Sequence, residues 1–297
     1  MKKFFKWTGI LLLSVLVIAL ISAFLIIRNF DNRAAQKHKI TPENLIIPTD
    51  SLSLERGKEL AVICTDCHTS DLGGKLFFTD PQLGSVYTAN ITNGEGSAIK
   101  DYTNSDWILA IRHGVKPDGT PLFIMPAHDY INFSENDLTS LIAYLKTIPP
   151  VNREAKPIQL KPLAKIIASL GGFGDVFSVE NLDHNQPFKL APERNSSAVY
   201  GEYIVKLSGC KTCHQPNLAG GKSPDPNSPF VPDITASGNL GKWSANDFIQ
   251  TMKTGLTPEG KQLDKAFMPY AFIGEMNEID QTAIYNYLKT MQGVKSK

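Results

Sequence analysis

At 297 residues the chain is long enough for about two domains. Its 30 Lys and Arg residues against 29 Asp and Glu residues give a formal net charge of +1, and this balance argues against nucleic acid as a partner. All four cysteines fall in two pentapeptides, "CTDCH" at 64–68 and "CKTCH" at 210–214, so cysteine chemistry is confined to these two places.

The first predicted element is a membrane-spanning helix. Three lysines precede an uncharged, almost wholly apolar run over residues 7–27, which Arg28 closes. About 20 apolar residues at ~1.5 Å each span the ~30 Å hydrocarbon layer. The run is longer than the apolar core of a cleavable signal and ends in "FLIIRNF", a poor cleavage site. We therefore expect an uncleaved single-pass anchor over residues 1–30, with a cleaved signal as the alternative. Because basic residues stay cytoplasmic, the rest is expected in the periplasm, outside the inner (cytoplasmic) membrane.

Beyond the anchor the sequence contains an internal repeat. "YTNSDWILAIRHGVKPDGTPL" corresponds to "WSANDFIQTMKTGLTPEGKQL", and "SENDLTSLIAYLKTI" corresponds to "NEIDQTAIYNYLKTM". This is the pattern of a domain of roughly 95 residues that has been duplicated. The predicted layout is a stalk, a first domain, a proline-rich connector partly packed on the domains, and a second domain, at residues 31–50, 51–150, 151–196 and 197–295.

Each copy is predicted to be helical. In the first copy Thr103 and Ser134 are expected helix N-caps and Gly114 a C-cap. The second copy repeats these signals at Ser244, Asn277 and Gly255. The expected fold class is therefore all-α, with two tandem domains behind a single transmembrane helix. Short helices joined by long loops bury little apolar surface, so each copy needs something further in its core.

The first pentapeptide has the spacing that covalent haem attachment requires. On one helical turn residues i, i+3 and i+4 share a face. Cys64 and Cys67 can therefore meet one edge of a flat ligand, while His68 directs a ring nitrogen at its centre. This is the haem attachment signature. The second pentapeptide places Cys210, Cys213 and His214 in the same way.

Other uses of paired cysteines remain open at this point. A thioredoxin-like dithiol needs a strand–helix setting in a βαβ pattern, and a four-cysteine zinc site spaces its pairs about 15–20 residues apart, whereas residues 68–209 separate these. A disulfide within each pair would leave the histidines without a role. The motif occurs at corresponding positions of both copies, and both copies follow an N-terminal segment that directs the chain out of the cytoplasm. We therefore expect two covalently bound haem c groups.

The second axial ligand of each iron is predicted to be a methionine. Met125 is the only methionine between His68 and the connector, its repeat partner is Met268, and a proline follows each. Taken alone, a methionine beside apolar residues is usually core filler. Histidine–methionine ligation would fill both axial positions and raise the potential relative to two histidines.

The remaining histidines are weaker candidates for this position. His113 aligns with Thr254 and is expected at the surface or in a loop, and His184 in the connector is expected to be exposed. His128 lies three residues after Met125 and is the alternative ligand.

Two further sets of repeated residues are expected to support the haem. Gly57 and Gly201 would let an N-terminal helix approach the C-terminal helix closely at Tyr144 and Tyr287. The alternative is a plain helix interior, where glycine costs ~0.5–1 kcal/mol against alanine. The second set could contact the haem propionates or simply form turns: Asn90, Asp233, Thr92 and Thr235.

These motifs resemble those of class I c-type cytochromes, duplicated into a dihaem chain. "CTDCH…MPAHDY" and "CKTCH…MPYAF", with the "NIT" and "DIT" segments, are similar to the cytochrome c subunits of membrane-bound bacterial alcohol and gluconate dehydrogenases. The resemblance covers about residues 50–295. Those subunits typically carry three haem motifs, whereas this chain has two. The resemblance implies all-helical domains with one haem in each, held by the pentapeptide and the methionine.

The expected function is electron transfer rather than catalysis. A membrane-tethered periplasmic dihaem cytochrome c would carry electrons from a dehydrogenase or quinol-linked complex to a respiratory acceptor such as a terminal oxidase. The alternative is a dihaem enzyme of the peroxidase or thiosulfate dehydrogenase type. Catalysis at iron needs an open axial position, which two methionine ligands would close.

Overall fold

The computed structural model of the protein describes residues 2–154, 156–222 and 229–293. Residue 295, the predicted end of the second domain, lies outside them. The helices are α1 Lys2–Ala35, α2 Ser51–His68, α3 Asn104–His113, α4 Ala127–Tyr130, α5 Glu135–Leu145, α6 Pro162–Ser169, α7 Ala198–Leu207, α8 Cys210–His214, α9 Ala245–Thr254, α10 Tyr270–Glu275 and α11 Glu278–Thr290. The strands are β1 Leu76–Asp80, β2 Gly84–Tyr87 and β3 Gln159–Leu160. Short 3-10 turns lie at Ser178–Asn181 and Asn239–Lys242.

Helix α1 has the length and composition of a membrane span. Its most apolar 18-residue window has a mean hydropathy of 3.2, and none of that window is buried against the rest of the chain. The helix continues to Ala35, five residues past the predicted boundary, and its last turns pack on the connector through Phe30.

The two copies have the same helix pairing. Helix α2 packs on α5 in the first copy, and α7 packs on α11 in the second. A Cβ atom at Gly57 would overlap the carbonyl oxygen of Ser140 and lie 2.7 Å from the Cβ of Tyr144. A Cβ atom at Gly201 would overlap the carbonyl of Ala283 in the same way. The predicted close approach at both glycines is confirmed.

The predicted helix ends are confirmed in both copies. Helix α3 begins with a capping box between Thr103 and Asp106, and α9 begins with the same box between Ser244 and Asp247. Each of these helices ends at a glycine in the left-handed conformation.

A small antiparallel sheet departs from the all-helical expectation. Strands β1 and β2 form a hairpin in which Thr79 pairs with Ser85, and β3 from the connector joins it through Ser85 and Gln159. The hairpin turn is held by Asp80, whose Oδ1 accepts hydrogen bonds from the backbone of Gln82 and Leu83. The described residues form three short strands in this sheet, so the mostly helical fold agrees with the expected all-α class.

Both copies contribute to one hydrophobic core. A single cluster of buried side chains contains Leu60, Ile108 and Leu141 from the first copy and Ile204 and Ile284 from the second. The copies meet through the short helices that follow each predicted methionine ligand, since α4 packs on α7 and α10 packs on α2.

Candidate functional site

The first pentapeptide forms the last turn of α2. The Nδ1 atom of His68 lies 2.8 Å from the carbonyl oxygen of Ala89. Because a carbonyl only accepts hydrogen bonds, Nδ1 carries the proton and Nε2 keeps a free lone pair. Burial lowers the pKa of His68, which favours the neutral imidazole. A neutral ring with a fixed tautomer is the form that binds a metal.

The second pentapeptide repeats this arrangement. The Nδ1 atom of His214 lies 2.9 Å from the carbonyl oxygen of Pro232, the ring is buried, and burial lowers its pKa. The local backbone differs, because α7 stops at Leu207 and α8 begins after Gly209, which is in the left-handed conformation. The same histidine geometry is therefore reached from a continuous helix in one copy and from a broken helix in the other.

The backbone after each histidine is also matched. Thr69 and Gln215, the residues that follow the histidines, have φ values of 69° and 67°. Positive φ is strained for such residues and persists where the surroundings demand it. Five residues further on, the backbone N–H groups of Gly74 and Gly220 donate 3.0 Å hydrogen bonds to the carbonyls of His68 and His214.

The cysteine environments favour a neutral sulfur. All four cysteines are among the described residues, and each is free. Burial raises the pKa of the Cys64 and Cys210 thiols to about 12, and burial with the nearby Asp66 charge raises that of Cys67 to about 11. Zinc binds thiolates, whereas a thioether carries no charge. The sites thus fit thioether attachment better than zinc.

The two predicted methionine ligands lie in loops of the same conformation. Pro126 (φ −81°, ψ 57°) and Pro269 (φ −77°, ψ 62°) each form the centre of an inverse γ-turn. The carbonyls of Met125 and Met268 accept 2.8 Å hydrogen bonds from the residues two positions on. Both methionines are half-buried and pack on the shared core. Their role as axial ligands stays a prediction.

The rival histidines are engaged elsewhere. His128 Nδ1 lies 2.9 Å from the Ser178 hydroxyl oxygen. His113 was expected at the surface or in a loop, but it is fully buried: its Nδ1 lies 3.0 Å from Nδ1 of His184, and its Nε2 lies 3.1 Å from the Glu43 carboxylate. The expectation that His184 is exposed is also wrong, since it is half-buried in this contact. The stalk covers His113, which is why repeat alignment alone misplaced it.

The repeated Asn90 and Asp233 form turns. Asn90 Oδ1 accepts hydrogen bonds from the backbone N–H and the hydroxyl of Thr92, and Asp233 Oδ1 accepts one from the backbone N–H of Thr235. Asn90 also donates a 2.7 Å hydrogen bond to the carbonyl of Val151. The turn interpretation therefore accounts for these residues.

Helix α4 lies between the two pentapeptides, a relation that the sequence did not reveal. A Cβ atom at Gly209 would lie 3.1 Å from Oδ2 of Asp129 on α4. Burial raises the pKa of the Cys210 thiol, and the Asp129 carboxylate raises it further. The next residue, Tyr130, is buried and has its pKa raised by burial and by the neighbouring Cys64 and Cys67. One turn of helix thus faces the first motif through Tyr130 and the second through Asp129.

The family model described as Cytochrome c matches residues 54–149 and 198–292. The fructose dehydrogenase cytochrome subunit of Gluconobacter japonicus is 29% identical over 285 residues, which cover 88% of this chain and 56% of that protein. The alcohol dehydrogenase (quinone) cytochrome c subunit of Gluconacetobacter polyoxogenes is 27% identical over 232 residues, 69% of this chain and 48% of that protein. A diheme cytochrome c-type protein of Cereibacter sphaeroides is 28% identical over 265 residues, 78% and 83% of the two chains. The chain spans about half the length of the two dehydrogenase subunits.

Proposed function

The chain belongs to the cytochrome c family, whose model matches more than half of it in two segments, and on that premise we propose that it is an electron-transfer protein with one covalent haem c in each half. The observation that carries the proposal is the repeated histidine, whose Nδ1 is bound to a backbone carbonyl directly after a C-x-x-C pair. The proposed ligand sets are Cys64, Cys67, His68 and Met125 in the first half and Cys210, Cys213, His214 and Met268 in the second.

Each residue of a set has a distinct task. The two cysteines would bond the group covalently, the histidine would supply a neutral ring nitrogen, and the methionine would supply a thioether. The group itself supplies a one-electron couple. With a histidine and a methionine of the chain both held by the iron, the group would exchange electrons without binding substrate. This favours a carrier over a haem enzyme.

We propose that electrons pass between the halves across α4. The position of Asp129 beside Gly209 supports this route, as do the electrostatic effects of Cys64 and Cys67 on Tyr130 and of Asp129 on Cys210. Polar bonds between the halves hold the motifs in a fixed relation; for example, Tyr203 of α7 donates a 2.8 Å hydrogen bond to Asp137 of α5.

The proposed location is the outer face of the inner membrane. The proposed layout is the predicted one, with an anchor, stalk, first domain, connector and second domain at residues 1–30, 31–50, 51–150, 151–196 and 197–295. The lysines that precede the apolar run of α1 support a cytoplasmic N-terminus. Because relatives are named as cytochrome subunits of fructose and quinone-dependent alcohol dehydrogenases, we propose a dehydrogenase as electron donor. A quinol-linked complex is the alternative donor, and the proposed acceptor is a respiratory one such as a terminal oxidase.

The test is a count of covalent haem on the purified full-length chain. Expression with a cytochrome c maturation system should give two haems per chain by pyridine haemochrome assay and intact mass. A Cys64→Ala/Cys67→Ala variant and a Cys210→Ala/Cys213→Ala variant should each retain one. Carbon monoxide should leave the reduced spectrum of the unmodified protein unchanged. A chain without covalent haem would refute the cofactor assignment, and ready binding of carbon monoxide would favour a haem enzyme.

A further inference from the structure

The connector contains an apolar segment that the electron-transfer site does not use. Between residues 162 and 174 the only charged side chain is that of Lys165. Helix α6 buries Ala164 and Ala168, while Leu163 and Leu170 remain 43% and 73% exposed. Phe173, three residues after Leu170, is 37% exposed. Large apolar side chains that share one short segment and face outward indicate an interaction surface.

This segment lies against the anchor. Lys165 Nζ is 2.6 Å from Oδ1 of Asp31, and Ala168 packs in the same small cluster as Phe30. Helix α6 packs on α1, and we infer from these contacts that the two helices run antiparallel. All described residues of α1 up to residue 22 are exposed, whereas Ala23, Ile26 and Ile27 are partly covered. The end of α6 therefore points toward the membrane.

The depth of this end follows from helix geometry. The apolar run of α1 over residues 7–27 spans about 30 Å, so the hydrocarbon boundary falls near Ile27. Leu170 is five residues beyond Lys165, which at ~1.5 Å per residue is about 7.5 Å. Leu170 therefore lies at the level of Ile26, which is about 7.5 Å along α1 from Asp31 toward the membrane. Leu163 lies about 10 Å nearer the haem-binding domains.

We propose that the turn Leu170–Phe173 inserts into the periplasmic leaflet beside α1 and gives the protein a second contact with lipid. The proposal rests on the proposed role of α1 as an anchor. Lipid is the expected occupant because α6, which ends at this turn, packs on the proposed anchor helix, and the turn falls at the depth where hydrocarbon begins. Apolar side chains next to a basic residue are typical of segments that lie in this boundary.

The consequence is a fixed orientation of the haem-binding domains. Arg33, near the end of α1, makes a two-point contact with Glu180, and its guanidinium lies 5.4 Å from the centre of the Phe177 ring. The anchor is thus joined rigidly to the connector. With a second insertion point, rotation about α1 is restricted, and the same face of the protein stays toward membrane-borne partners.

The experiment measures the depth of a nitroxide label in the full-length, haem-loaded chain in lipid nanodiscs. Leu170→Cys is the test variant, and Leu163→Cys, in the first turn of α6, is its matched control. Leu16→Cys reports on the anchor, and Leu190→Cys, at an exposed position of the connector, reports on water. Collision with oxygen, which concentrates in lipid, is compared with collision with a water-soluble nickel chelate. The unmodified chain should take up no label, because its own cysteines are bonded to haem.

The label at position 170 should have an oxygen-to-nickel ratio several-fold above those at positions 163 and 190, and close to that at position 16. A ratio at position 170 equal to that at position 190 would overturn the insertion, as would low collision with both reagents, which indicates cover by protein. A water-like ratio at position 16 would instead refute the anchor. Labelling of the unmodified chain would refute the haem assignment, so each failure is separate.

Discussion

Replacing Gly201 by alanine is expected to destabilise the second half by about 2 kcal/mol. The new Cβ atom would overlap the carbonyl of Ala283 and lie 2.9 Å from the Cβ of Tyr287, where carbon atoms ordinarily stay ~3.5–4.0 Å apart. Helices α7 and α11 must therefore separate by about 1 Å. Such overpacking costs ~1–3 kcal/mol, and the upper end applies because the obstacle is backbone. The better helix propensity of alanine returns ~0.5–1 kcal/mol.

The assay is guanidinium unfolding of the haem-loaded chain in detergent, followed by far-ultraviolet circular dichroism. With a denaturant slope of about 4 kcal/mol/M, the midpoint should fall by about 0.5 M. Gly57→Ala should behave similarly, because its Cβ would meet Ser140 and Tyr144 in the same way. Val199→Ala, at an exposed position of α7, introduces the same residue without a clash and should shift the midpoint little. An unchanged or higher midpoint for Gly201→Ala would refute the close-approach argument.

Three further predictions concern the haem sites and the contact between the halves. Met125→Ala and Met268→Ala should each lower one haem midpoint and open that iron to carbon monoxide, since a thioether ligand raises the potential; two unchanged midpoints in redox titration would reject the ligand assignment. Burial raises the pKa of Asp129 to about 6, so its negative charge forms as pH rises through about 6 and stabilises the ferric state of the neighbouring haem. The redox midpoint of that haem should therefore fall as the pH rises through this range. The Asp129→Asn variant should have a higher midpoint that does not change with pH; a pH-dependent midpoint in the variant would assign the titration to another group. Tyr203→Phe removes the hydrogen bond to the Asp137 carboxylate and should cost about 1.5–3 kcal/mol of unfolding free energy, with wild-type stability as the contrary outcome.

The sequence predicted those features that repeat or that local chemistry determines. The capping box of Thr103 and Asp106, the glycine C-caps and the close approach at Gly57 follow from short-range rules, and the structure confirms each of them. The alignment of the copies also brought out the proposed haem ligands, although the sequence alone could not supply the carbonyl bonds that fix the tautomers of His68 and His214.

What the sequence did not predict depends on contacts between distant segments. His113 is buried because Glu43 of the stalk and His184 of the connector meet it from two sides, and neither segment has a counterpart in the other copy. The β1–β2 hairpin likewise acquires its third strand from the connector, 72 residues after Tyr87 at Gln159. Because these segments are not repeated, comparison of the two copies could not predict their contacts.

The contact between the halves shows how duplication produced complementary surfaces. In the repeat, with Gly57 matched to Gly201, Arg56 corresponds to Tyr200, and Glu59 corresponds to Tyr203. Arg56 and Tyr200 each bond the aspartate on the C-terminal helix of their own half, Asp137 and Asp280 respectively.

Glu59 and Tyr203 instead cross between the halves. Glu59 accepts hydrogen bonds from Arg194 and Asn277, and Tyr203 donates to Asp137. The Arg56 guanidinium lies 6.0 Å from the centre of the Tyr200 ring. If positions 200 and 203 also held arginine and glutamate, two arginines would lie close together there. Tyrosine at both positions removes that repulsion and lets one buried carboxylate, Asp137, bond both halves. The pseudo-symmetric pairs thereby lock the halves together, and this lock keeps α4 between the two haem motifs.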